Sequence, residues 1–115
     1  MKEINGNKYW QLMESSQNPF LVELFTPTCF PCKTLLPILN MFAEANREYI
    51  DCYKINVEAN KDVANELEIS TVPVVLFVLP VGPNREPTIV SRMPGVFSAD
   101  ALNKEWDELN ERYDW

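Results

Sequence analysis

Phe20-Leu21-Val22-Glu23-Leu24-Phe25-Thr26-Pro27-Thr28-Cys29-Phe30-Pro31-Cys32 is the stretch on which the fold turns. Its first six residues are apolar but for one carboxylate, the pattern of a strand covered on both faces in a parallel or mixed sheet. From about Cys29 to Arg47, Leu35, Leu39 and Phe42, with Leu36 and Ala43, form a broad apolar helical face. Cys29 therefore falls where a strand gives way to a helix. Unpaired backbone N–H groups and the positive end of the helix dipole favour thiolate over thiol there. The two intervening residues, Phe30 and Pro31, set the second sulfur one turn along, within reach of the first. Cys29 reads as the attacking thiolate and Cys32 as the resolving one. Pro31 gives up no needed donor so early in a helix. Pro37, in the interior, is expected to kink it.

Two plainer readings compete: a chance pair of cysteines, or half of a zinc site. Zinc usually takes four ligands, and the chain offers only Cys52 beyond the pair, with no histidine. A CxxC beside a βαβ pattern is, by contrast, a redox signature.

Outward from this stretch, Tyr9, Leu12 and Met13 mark a helix over about 6–16 that Asn18-Pro19 stops, with a short strand at Lys2 to Asn5 before it. Asp51 to Val57 alternates as a strand. Val63, Ala64 and Leu67 give a short helix. Val74 to Leu79 is rich in β-branched residues and reads as the most buried strand. The Pro- and Gly-rich segment Pro80 to Pro87 turns into a last strand near Thr88 to Met93. Ser98 is a good N-cap for a closing helix whose inner face carries Leu102, Trp106, Leu109 and Tyr113. The class is α/β, with a central mixed sheet of four to five strands flanked by about four helices.

The 115 residues, 46% of them apolar and 23% charged, suit one globular domain over 1–115. Ten Lys and Arg against seventeen Asp and Glu leave a net charge of −7, which argues against nucleic acid as a partner. No histidine is present, so Ser-His and Cys-His catalysis are excluded. Three cysteines are too few, and odd in number, for a disulfide-built secreted scaffold. The polar N-terminus lacks the apolar run of a signal peptide, and no apolar run is long enough to span a membrane. The expectation is a soluble monomer of a reducing cytoplasm.

The sequence resembles the thioredoxin family over nearly its whole length. The matching positions are Leu21-Val22-Glu23-Leu24-Phe25, the CxxC, Lys33 and Pro37, Lys54-Ile55-Asn56-Val57, Ile69-Ser70-Thr71-Val72-Pro73 and Gly95. The resemblance implies the thioredoxin fold and a cis peptide bond at Val72-Pro73 facing the two sulfurs. Only proline adopts cis cheaply; from the residues alone, a trans proline opening the next strand stays equally open. It further implies that the backbone around Thr71 and Val72 pairs with an extended substrate segment.

Glu23 falls where the family has a buried Asp beneath the resolving cysteine, and Lys54 at the position of its partner lysine. Buried charge is costly, so the Glu23 carboxyl is expected to hold its proton more tightly and to accept the Cys32 proton. The alternative is a carboxylate at a sheet edge that reaches solvent. Phe30, Val72, Pro73, Pro94, Gly95 and Val96 are expected to form an apolar docking rim.

Several positions depart from the family. Thr28 and Phe30 stand where it has Trp and Gly, and Phe25 replaces a strand-end Trp. The absence of His between the cysteines argues against its strongly oxidising members. Cys52 reads as a small buried hydrophobe, Trp10 and Trp106 as packing, and the acidic stretch Glu105 to Asp114 as a solvated helix face.

By resemblance, the implied activity is reduction of protein disulfides. No organic cofactor or metal is bound; NADPH acts indirectly, through a thioredoxin-reductase type flavoenzyme as partner. A disulfide oxidase or isomerase of the same fold and a non-enzymatic interaction subunit are the alternatives.

Overall fold

In a computed structural model, which describes residues 1–113, nine elements follow in the expected order. They are β1 (Lys2–Glu3), α1 (Gly6–Ser15), β2 (Phe20–Phe25), α2 (Phe30–Ala45), β3 (Asp51–Asn56), α3 (Lys61–Glu66), β4 (Val74–Leu79), β5 (Thr88–Pro94) and α4 (Ala99–Arg112). The sheet runs β1-β3-β2-β4-β5, with β1, β3 and β2 parallel and β4 and β5 antiparallel to their neighbours. This is the mixed five-stranded sheet with four helices that the sequence implied.

Alternation along β2 divides the molecule. Phe20, Val22 and Leu24 face a core with Tyr9, Ile55, Val63 and Leu67, on the side of α1 and α3. Leu21 faces the opposite core, where Leu35, Leu39 and Phe42 of α2 meet Leu102, Trp106 and Leu109 of α4. Because successive strand side chains point to opposite faces, Glu23 shares the face of Leu21. Its carboxylate is thereby carried under α2, only 1% exposed, and the alternative of a solvent-reaching carboxylate falls. In the second core Phe77 stacks on Trp106, with centroids 5.9 Å apart, and both rings meet the Phe42 ring edge-on.

Several local details differ from the sequence reading. The first strand stops at Glu3, because Asn5 serves instead as the N-cap of α1, its side chain accepting the Lys8 N–H at 2.9 Å. Cys29 is likewise the N-cap of α2 and not its first turn. The helix contains Pro37 as expected and ends at Ala45, short of Arg47, with Asn46 as its C-cap. The last strand extends one residue further, to Pro94, and its pairing with β4 shifts between Phe77 and Val78, which leaves Val90 as the extra residue of a bulge.

Trp10 packs as expected and also donates from its indole to Asp62 at 2.8 Å. Cys52 is half-buried against the second core, and burial pushes its thiol up to about 12. Of the acidic stretch, Glu105 is half-buried on α4 and hydrogen-bonded to the Ser91 hydroxyl, whereas Asp107, Glu108 and Glu111 are exposed. Asp114 lies outside the described residues.

Candidate active site

The strand β2 ends at Phe25, and the chain turns through Thr26 to Thr28 into α2. The Cys29 N–H donates to the Thr26 carbonyl at 3.2 Å, which tightens that turn. Extended backbone at Cys29 then lets its side chain act as the helix cap. The sulfur accepts the Cys32 N–H at 3.1 Å, in the role a Ser or Asp oxygen usually fills. Pro31, in the first turn, needs no N–H of its own. Cys29 and Cys32 are joined as a disulfide, their Cα atoms 5.3 Å apart. Cys29 is half-exposed and Cys32 is buried. An incoming group therefore meets Cys29 first.

Facing Cys29 is the loop before β4. The Val72–Pro73 peptide bond is cis, and the Val72 carbonyl oxygen lies 3.8 Å from the Cys29 sulfur. The Pro73 carbonyl in turn accepts the Gly95 N–H at 2.9 Å, which ties the end of β5 to the same loop. Gly95 sits at φ +78°, a backbone region that glycine enters at no steric cost.

Phe30, Pro31, Thr71, Pro94 and Val96 are exposed around this centre, with Phe30 77% exposed. Val72 and Gly95 are half-buried. Pro73 is buried, so it underlies the apolar rim and does not belong to its exposed part.

Glu23 and Lys54 belong to a second cluster, beneath Cys32. A cavity of about 190 Å³ is lined by Glu23, Phe25, Cys32, Lys33, Leu36 and Lys54, together with Thr26 and Pro27. Glu23 and Lys54 are register partners on β2 and β3. The Glu23 Oε2 atom has no hydrogen-bond partner. Burial pushes the Glu23 carboxyl up to about 7, against a weaker downward pull from the Lys54 ammonium. The Lys54 Nζ stands over the Phe25 ring, 5.3 Å from its centroid.

Sequence reasoning did not place Leu36 or Phe25 at this cavity. Leu36 had a signal, since it follows Cys32 by one helical turn. The Lys54–Phe25 contact had none, because it depends on a rotamer that crosses between strands. Among the described residues, no three Cys, Asp or Glu side chains gather where they would hold a metal, and no helix is long and apolar enough to cross a membrane.

A disulfide capping a helix beside a cis-proline loop, on a mixed sheet of this order, defines a dithiol/disulfide protein of the α/β class. The sequence model of the thioredoxin family matches residues 1–108, and the chain belongs to that family. It is 27% identical over 101 residues to the chloroplastic thioredoxin M-type of Pisum sativum, a match covering 88% of this chain and 58% of that relative's own length. It is 30% identical over 94 residues to thioredoxin 1 of Synechococcus elongatus, covering 82% of this chain and 85% of that one. The crystal structure of chloroplastic thioredoxin z superimposes with a TM-score of 0.82 at 22% identity, over 96% of this chain and 95% of its own, a likeness of fold.

The cytoplasmic expectation does not survive these comparisons: the relatives from pea, spinach and Chlamydomonas are chloroplastic proteins. That expectation rested on a polar N-terminus, few cysteines and the lack of a membrane-length apolar run, which argue against secretion and membrane insertion but do not separate cytoplasm from plastid.

Proposed function

We propose that this chain is a thiol–disulfide oxidoreductase that reduces disulfides in other proteins. The observation that carries the reading is the Cys29–Cys32 pair itself. Its half-exposed sulfur caps α2, and the buried one lies above an unpaired carboxylate. In the reduced form, the Cys29 thiolate attacks one sulfur of a substrate disulfide. A mixed disulfide forms, and the other substrate sulfur leaves as a thiolate. Cys32 gives its proton to Glu23 and attacks the Cys29 sulfur. The internal disulfide closes, and the second substrate sulfur leaves reduced. Two electrons have then passed from the pair to the substrate.

The disulfide is returned to the dithiol by an external reductant. A thioredoxin-reductase type flavoenzyme drawing on NADPH fits that need, and so does a ferredoxin-dependent reductase. The substrate segment lies extended along Thr71 and Val72, across Pro73. Phe30, Pro31, Pro94, Gly95 and Val96 provide the apolar surface on which it docks. The chain works as one domain and as a monomer, and its net charge of −7 gives no footing to nucleic acid.

The reading is tested by following reduction of a protein disulfide with dithiothreitol as electron source. Cys29→Ser is expected to abolish turnover, and Cys32→Ser to accumulate a mixed disulfide visible by mass. Turnover that persists in Cys29→Ser overturns it.

A further inference from the structure

Adjacent strands lie about 4.8 Å apart, so a lysine stem on β3 easily spans to a register partner on β2. A cation beside a buried, unpaired carboxylate has strong reason to close on it, because an uncompensated buried charge is costly. Lys54 does not do so. Its ammonium stands over the Phe25 ring, and the Glu23 Oε2 atom is left without a partner. Phe25 follows Glu23 by two residues on β2, so the pleat puts ring and carboxylate on one face, and both line the cavity under Cys32.

We propose that Phe25 is a positioning residue whose ring face holds the Lys54 ammonium at the cavity beneath Cys32 and keeps it off the Glu23 carboxylate. The consequence for turnover rests on the proton-accepting role of Glu23 given above; the physical competition does not. The negative face of an aromatic ring attracts a lysine ammonium most when both are partly withdrawn from water, as these half-buried side chains are. Held there, Lys54 acts on Glu23 only through space, and the carboxyl stays near 7. In direct contact it would draw the carboxyl down toward the ordinary carboxylate range, where it accepts a thiol proton poorly.

The other groups facing the pair leave room for this balance. Glu3 on β1 is the register partner of Lys54 on its far side, and it is exposed. Lys33 and Cys32 of α2 line the cavity, and β4 presents uncharged Val75 opposite Glu23.

The test is the pH titration of the Glu23 side-chain carbon by 13C NMR in the oxidised protein, assigned with Glu23→Gln. Phe25→Leu is expected to lower the midpoint by about half a pH unit. Pentafluorophenylalanine at position 25 keeps the ring's shape and removes its negative face, so it should shift the midpoint the same way even if Phe25→Leu packs badly. Phe25→Trp should hold the midpoint of the unsubstituted chain. In a Lys54→Met background, the fluorinated ring should move nothing. A midpoint that is unmoved or raised with the fluorinated ring, or lowered equally without Lys54, overturns the proposal. Failure of Glu23 as proton acceptor would appear elsewhere, as an unchanged resolving step in Glu23→Gln, and the titration would still decide the part played by Phe25.

Discussion

Glu23 and Lys54 stand side by side in the register of β2 and β3, yet the ammonium faces the Phe25 ring and the carboxylate keeps an unpartnered oxygen. A carboxyl so placed binds its proton more tightly folded than unfolded, with its midpoint pushed from 4.5 to about 7. The folded state therefore carries more protons than the unfolded one between these values, and stability falls as pH rises through that window. The loss is of the order of 3 kcal/mol, complete above the folded midpoint. In guanidinium unfolding of the oxidised protein, the stability difference between Glu23→Gln and the unsubstituted chain should swing by about that amount in favour of the variant from pH 4 to pH 8. A difference independent of pH would show that Glu23 titrates normally.

The same carboxylate predicts a kinetic split. Glu23→Gln should slow release of reduced substrate by about 10²-fold, within the usual range for a lost general base. Formation of the mixed disulfide at Cys29 should be nearly unaffected. Stopped-flow measurement of the two phases checks this, and equal loss in both contradicts it.

Phe30 is 77% exposed at the start of α2. Phe30→Ala should leave the unfolding midpoint nearly unchanged, as surface substitutions do within about 0.5 kcal/mol. It should raise KM for a folded protein disulfide and leave the rate with a small disulfide such as oxidised glutathione intact. Equal effects on both substrates would remove Phe30 from the docking surface.

Glu68 closes α3 in a left-handed conformation, φ 54°, with its N–H on Asn65 O and the Ile69 N–H on Ala64 O. This is the Schellman pattern with Glu where Gly is usual. Relief of that backbone strain in Glu68→Gly, partly offset by the greater unfolded-state entropy of glycine, should stabilise the protein by about 1 kcal/mol. Thermal or denaturant unfolding reads the sign directly.

Phe77 is wholly buried, stacked on Trp106 and edge-on to Phe42. Phe77→Ala should cost about 3–5 kcal/mol, since the two remaining rings, Phe42 and Trp106, cannot collapse into the space it leaves. Urea unfolding provides the measurement.

Much of this was legible in the sequence because it follows from short-range pattern. The period of two along β2 puts Glu23 on the face of Leu21, and a helix over the CxxC puts Cys32 on that face too. The apolar runs of β4 and of β2, the latter broken only by Glu23, mark both as inner strands, and the observed order places both inside the sheet. What the sequence hid depends on pairing between distant segments. The Val90 bulge is set by how β5 aligns with β4. Asn5 became a cap and not a strand residue because α1 begins at Gly6, whose own N–H is taken by the Asn60 side chain from another part of the chain. The perch of Lys54 on Phe25 is a choice among rotamers, and no spacing in the sequence encodes it.

The most direct test of the central claim is the reduction potential of the Cys29–Cys32 pair, titrated in dithiothreitol or glutathione buffers and read by alkylation mass shift. A reductase requires a value near or below about −270 mV, the general figure for thioredoxin. A value between about −180 and −120 mV would instead mark an oxidase or isomerase of disulfides. Failure of the pair to close on itself at any potential would contradict the redox reading altogether.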